Sequence, residues 1–419
     1  MRRPFALSFV LSALAAVLPA AVQAAPVDVL FVGNSFTFGR VDPVMSYNAA
    51  NVNDLTRPER GGNFANPAGT NAFEPHPWGG VAGIFKQFTV QAGLDYTVSL
   101  STRNAASLRG HFLNTNPAGW DLRGNIGQQA WDKVVLQEQS DEPLQRRTNG
   151  NGAVLASNPE YFRFYADKIE NFVHSNAPQT IRDRDAFPGA TANDRQAACV
   201  AAGIASGTCS NNRGTFANSN ADATTQLYLY QTWARPNLVH GAFATTTNAN
   251  GSVTRSNTLS TATFFNSLEE MTGELKSSYQ AAFDRADNDG TAGFAGIAEV
   301  GEAFMRAVAT GVATRDMWAA DAGSDGLIDL WFDDGLHASK YGSYLSALVL
   351  FGELTGLDPA RLGAREIAAR DLGIDARSAL LLQRVASDQL GFVPVPTPAS
   401  GALAGLALLA LAASRQRRR

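Results

Sequence analysis

Two short stretches of the 419-residue chain carry side chains whose types and spacing could make and break an acyl bond. Near the start, Ser35 follows Gly33 and Asn34 at the end of the apolar run Val27 to Val32, which only Asp28 interrupts. A buried strand ending in a tight turn brings that hydroxyl to a strand end, where it serves as a helix N-cap or as a nucleophile. Near the other end, Asp333-Asp334-Gly335-Leu336-His337-Ala338-Ser339 sets a carboxylate three residues before an imidazole, with a glycine between them. In such a loop the Asp334 carboxylate accepts the His337 Nδ1 proton. It thereby fixes the tautomer and stabilises the imidazolium formed when the other nitrogen takes a proton from a serine. Ser35 is then the candidate nucleophile, His337 the base and Asp334 the orienting carboxylate; Asp333 lacks the spacing. His76, His111, His174 and His240 have no such partner in a glycine turn and read as surface or loop histidines.

Trp233 and Arg235 follow another strand pattern, in Tyr-Gln-Thr-Trp-Ala-Arg-Pro. An aromatic face for a sugar and a guanidinium for an acid would wall a substrate site; a packed tryptophan ahead of Pro236 fits the same residues. Asp321, Asp325, Gly326 and Asp329 have the outline of a calcium loop, but Gly323 and Phe332 stand where oxygen ligands are needed. No metal and no cofactor is expected.

The elements that must position these groups alternate. The strand Val27 to Val32 is followed by a helical pattern from Val81 to Ala92 with Gly93 behind it, and then by a strand from Tyr96 to Leu100. Lys133 to Gln137 reads as a strand, Tyr161 to His174 as an amphipathic helix, and Gln226 to Thr232 as a strand. Phe264 to Arg285 is helical, Ala295 to Val300 a short strand, Ala303 to Ala313 a helix, and Tyr341 to Leu354 a final helix. Strands alternating with helices predict an α/β fold, a three-layer α/β/α sandwich with a mostly parallel central sheet. Ligands of such sheets bind beyond the carboxyl ends of the strands, where Ser35 falls. Asn-, Gly- and Pro-rich stretches at about 40–77 and 177–224 read as long loop insertions.

The segments VDVLFVGNSFT and DDGLHASKYGSYLSALVLF resemble blocks I and V of the SGNH hydrolase superfamily, the GDSL-like serine esterases. WDKVVLQEQS and YQTWARP are similar to stretches of bacterial SGNH-type members. The resemblance implies a flavodoxin-like sandwich over residues 25–390 and a Ser35–His337–Asp334 triad. It also implies an oxyanion hole whose first donor is the Ser35 N–H. The family's glycine donor corresponds to Ala105, in Arg103-Asn104-Ala105-Ala106-Ser107. Its asparagine donor corresponds to Gln137, like a glutamine of some carbohydrate acetylesterases, or to Gln139, which alternation turns to the same side. The family's Asp before the serine is Asn34 here. The implied activity is that of an exported serine ester hydrolase, a carbohydrate O-acetylesterase or related esterase. The alternative is a catalytically weak surface protein of the same fold that binds matrix glycans.

The ends of the chain carry addresses. Arg2 and Arg3, the apolar run Phe5 to Leu18 and the small-residue site Val22-Gln23-Ala24 form a secretory signal pattern over residues 1–24, with a membrane anchor as the other reading. In residues 391–419, Pro394-Val395-Pro396-Thr397-Pro398, an apolar stretch Ala402 to Ala413 and four arginines resemble a PEP-CTERM sorting signal that lacks the usual Glu. Membrane sorting machinery would recognise that segment; a plain C-terminal anchor is the alternative. Such signals accompany exopolysaccharide production in Gram-negative bacteria. The expected place is therefore the envelope, surface or exterior of such a cell, and the expected partner an ester, preferably an acetylated polysaccharide. A net charge of −4 leaves no basic footprint for nucleic acid. Cys199 and Cys209 read as one local disulfide, worth on the order of 2–3 kcal/mol by chain entropy.

Overall fold

Val29, Leu30, Phe31 and Val32 have no exposed surface, as a strand covered on both faces requires. The computed structural model describes residues 25–40, 42–56, 77–114, 121–247, 253–260 and 263–392. The signal at 1–24, the sorting segment from 393 onward, His76 and much of the first insertion lie outside those residues.

The strands, in chain order, are β1 (Val27–Gly33), β2 (Asn53–Asp54), β3 (Tyr96–Thr102), β4 (Lys133–Gln137), β5 (Arg147–Thr148) and β6 (Val154–Leu155). They continue as β7 (Gln179–Arg182), β8 (Asn212–Phe216), β9 (Gln226–Tyr230), β10 (Ala242–Thr247), β11 (Val253–Ser260) and β12 (Gly296–Ala298). Six of them form one sheet in the order β12-β9-β4-β1-β3-β2, and every pairing in it is parallel. On one face the helices Gly80–Gln91 and Lys340–Thr355 pack together; on the other, Pro159–His174 packs on Leu268–Ala286. The architecture is the expected mostly parallel sheet with helices on both sides. Among the described residues no helix is long and apolar enough to cross a membrane.

Register decides what the sheet presents. Gly33 lies opposite Thr102, Val32 opposite Leu136, and Gln137 opposite Tyr230, so β1, β3, β4 and β9 end at one level. The segments that follow β1, β3 and β4 carry Ser35, Ala105 and Gln139 into one crevice, while Trp233, after β9, is buried beside it.

The loop expectations need correction. In the first insertion, residues 53–54 join the sheet as its edge strand, because their backbone finds β3 as a partner. The 177–224 stretch is structured: β7 and β8 pair antiparallel around the helix Ala192–Ala201, and Cys199 and Cys209 are joined by a disulfide with Cα atoms 6.0 Å apart. Its anchor is the fully buried Asp183, which pairs with Arg109 at 3.2 Å and Arg213 at 2.5 Å and accepts from the Tyr165 hydroxyl at 3.2 Å. Ion pairing there adds to a few scattered buried apolar residues, Ile181 and Phe187 among them, that show no regular period. The hairpin β10–β11 and the helix Ala376–Gln389 were not expected; the latter packs on Lys340–Thr355, which is therefore not the final helix.

Candidate active site

The chain turns sharply after β1 because Gly33 leaves room for it. A Cβ there would lie 2.5 Å from both Gln137 Oε1 and Thr37 Oγ1. Asn34 then caps the four-residue helix Ser35–Phe38, its Oδ1 accepting from Phe36 N at 3.1 Å. Its Nδ2 donates to Ala106 O at 3.0 Å, a bond that a carboxylate at this position could not make. The asparagine thus ties the serine turn to the loop after β3.

The Asp334–His337 loop comes to meet that turn. Gly335 takes φ +64°, and Asp334 Oδ1 accepts from the backbone N–H groups of Leu336 and His337, both at 2.9 Å. Asp334 Oδ2 lies 2.6 Å from His337 Nδ1, and His337 Nε2 lies 2.8 Å from Ser35 Oγ. Burial pushes the Asp334 carboxyl up, but the His337 hydrogen bond and the backbone donors outweigh it and hold the group below its ordinary value. An ionised carboxylate only accepts, so the neutral imidazole of His337 carries its proton on Nδ1, and its Nε2 lone pair is then the one turned to the serine O–H. The three residues singled out in the sequence form one hydrogen-bonded chain.

This chain ends in a cavity of about 210 Å³ lined by Asn34, Ser35, Phe36, Arg40, Asn104, Ala105, Gln139, Ser140, Leu336 and His337. Three of these residues offer candidate donors. Ser35 N–H opens a helix and belongs to the donors that a helix leaves without an internal acceptor. Ala105 holds φ +55°, the left-handed conformation that glycine adopts most readily, and its N–H has no acceptor among the described residues. Gln139 Oε1 accepts from Asp141 N at 3.1 Å and Glu142 N at 3.2 Å, which leaves its Nε2 as the uncommitted end of the amide.

Gln137 does not take the role favoured for it. Its Oε1 accepts from Asn34 N and Thr37 Oγ1, both at 2.9 Å, its Nε2 donates to Glu138 O, and the side chain is wholly buried under the turn. Trp233 is no substrate wall either. It is fully buried, stacked on Phe36 at 4.1 Å and on Phe304 at 4.9 Å, and its Nε1 donates to Leu336 O at 3.0 Å. Arg235 lies beneath the cavity, donating to Ser140 Oγ at 3.0 Å and Asn237 Oδ1 at 3.2 Å. With Asn237 N donating to Gly335 O and Trp331 Nε1 to Ala234 O, the 233–237 segment is the scaffold of the histidine loop.

Two more groups support the site. His111 is fully buried, and its Nε2 lies 2.8 Å from Gly33 O. Burial pulls its pKa down to about 4, so it is neutral at pH 7 and donates Nε2–H to that carbonyl. Glu138, wholly buried, accepts from Leu108 N and Gln139 N. Neither has a sequence signature: each depends on contacts closed by the sheet. His174 is buried too, against Glu170 one helical turn earlier, a partner that the three-residue criterion passes over. Asp167, Glu170 and Asp289 are the carboxylates, among the described residues, close enough to share a cation. They are engaged by Lys168, Arg285, His174, Asn171 and Thr291, and none lines the Ser35 cavity.

No family model matches the chain, and no curated protein matches it. Solved structures that resemble it include the following two. One, described as "a putative SGNH hydrolase from Slackia heliotrinireducens", is 16% identical with a TM-score of 0.35; the match covers 79% of this chain and 100% of that one. The other is a DUF4886 family protein from Bacteroides uniformis, 11% identical with a TM-score of 0.38, the match covering 90% of this chain and 98% of that one.

Proposed function

We propose that this chain is an exported serine ester hydrolase that works through an acyl-enzyme on Ser35, with O-acetylated glycans as its substrate class. The observation that carries the reading is the Ser35 Oγ–His337 Nε2–Asp334 chain, at 2.8 and 2.6 Å, opening on a cavity with backbone N–H donors to spare.

Each step follows from that geometry. His337 Nε2 takes the Ser35 proton as Oγ bonds to the ester carbonyl carbon, and the carbonyl oxygen becomes an anion. In this reading Ser35 N–H and Ala105 N–H, with Gln139 Nε2, stabilise that charge as it forms. His337 then returns its proton to the departing alkoxide, so the alcohol leaves and Ser35 keeps the acyl group. A water molecule gives its proton to His337 and attacks the acyl carbon; collapse releases the acid and restores the Ser35 hydroxyl. Asp334 stabilises the imidazolium in both halves. These steps call on no cofactor.

A cavity of about 210 Å³ is smaller than the ~300–1,000 Å³ of pockets that enclose drug-sized ligands. It suits a short acyl group, with the alcohol portion directed outward. The leader-like residues 1–24 and the tail 391–419 support export to the envelope of a Gram-negative cell, where acetylated polysaccharide is at hand. The test is hydrolysis of p-nitrophenyl acetate together with acetate release from acetylated polysaccharides. Both are expected from the wild type and lost in Ser35→Ala. Binding to glycans without any Ser35-dependent release would instead favour the non-catalytic surface protein.

A further inference from the structure

The donors proposed for the oxyanion sit on separate loops. Ala105 belongs to the loop between β3 and the helix Leu108–Leu113 and Gln139 to the segment after β4, and β1 lies between those two strands in the sheet. One side chain spans them. Glu138 Oε1 accepts from Leu108 N, at the end of the Ala105 loop, at 3.0 Å, and from Gln139 N at 2.6 Å. The residue is 1% exposed, and its Oε2 finds no partner among the described residues, so a single oxygen carries the link.

We propose that Glu138 is the positioning residue of this site: by holding Leu108 N–H and Gln139 N–H on one oxygen, it sets the spacing between the Ala105 and Gln139 donors. The inference rests on the esterase reading and deepens it. A donor acts on the transition state only when it is aimed at the forming anion, so a shift of about 1 Å in one loop costs as much as about a hundredfold in rate. Asn34 ties the same loop to the serine turn through Ala106 O, which makes Glu138 the other half of the frame. The link needs an acceptor at a given reach and needs no charge. Burial, with Glu142 and Asp141 alongside, pushes the Glu138 carboxyl well above its ordinary range, which disfavours the charged form. Glutamine presents the same oxygen at the same reach; aspartate keeps the acid and draws it back by one carbon.

The experiment compares Glu138→Gln and Glu138→Asp, each confirmed as folded by its melting transition, in p-nitrophenyl acetate hydrolysis with kcat and KM resolved. E138Q is expected to keep the wild-type kcat. E138D is expected to lose roughly ten- to a hundredfold in kcat with KM little changed, since the donors act in the transition state. The reverse order, with E138D active and E138Q impaired, would show that acidity matters and would overturn the proposal, as would wild-type kcat in both. If wild-type turnover itself does not depend on Ser35, the esterase reading falls and this role with it, an outcome that Ser35→Ala in the same assay separates from the others.

Discussion

At the scale of single residues, the site divides into groups whose chemistry is local in sequence and groups whose chemistry depends on closure of the fold. Asp334 and His337 are three residues apart in a glycine turn, so their hydrogen bond is implied by spacing alone. Gln137 and Gln139 are both amides after one strand, and nothing in the sequence says which is consumed. The structure commits Gln137 to the Asn34 N–H and the Thr37 hydroxyl and leaves Gln139 at the cavity. The orienting carboxylate gives the clearest prediction here. Asp334→Asn keeps an oxygen for the Leu336 and His337 N–H groups but offers the imidazole an amide in place of an anion. Its kcat for p-nitrophenyl acetate is expected to fall by about 10²–10⁴, the range for loss of the correct tautomer, with folding retained. A variant within a few-fold of wild type in the same steady-state assay would mean that Asp334 does not orient the base.

At the scale of elements, the strand after which a residue falls was readable, but its direction was not. Trp233 was correctly placed beyond β9; whether it faces substrate or core depends on Phe36 and Phe304, which are distant in sequence and sandwich it. The disulfide-bonded 177–224 stretch was likewise visible only as composition, because an ion-paired Asp183 and isolated buried residues such as Ile181 and Phe187 hold it down without a regular apolar stripe. The 233–237 segment should transmit its packing to the chemistry. Trp233→Phe retains most of the stack but leaves the partly buried Leu336 O without the indole donor, a loss of about 0.5–1.5 kcal/mol. The loss is expected mainly as a lower melting temperature, with a smaller fall in kcat because Leu336 adjoins His337. Scanning calorimetry and kinetics on the same sample measure both; a variant that loses stability alone would detach the scaffold from the base.

At the scale of the whole molecule, alternation of strands and helices sufficed to give the α/β class, whereas the order β12-β9-β4-β1-β3-β2 depended on pairings between strands far apart in the chain. That order aligns four strand ends, and it buries His111 as a neutral group behind Gly33. Stability should register the burial. The folded pKa of about 4 lies below the ordinary 6.5, so between these values the unfolded chain binds a proton that the folded chain refuses. The contribution is complete above pH 6.5 and is lost as the pH falls toward 4, on the order of 3 kcal/mol at most. In urea titrations, the stability difference between wild type and His111→Gln is expected to shift against the wild type over that window. A difference that stays constant with pH would mean that His111 is not held neutral. The central claim, that the Ser35 hydroxyl is activated by His337 and Asp334 at a pocket able to accept an ester, is tested most directly by a fluorophosphonate probe read by intact mass and peptide mapping. One adduct on Ser35 is predicted for the wild type, none for Ser35→Ala, and a much slower adduct for His337→Ala; a folded wild-type protein that remains unlabelled would contradict the account.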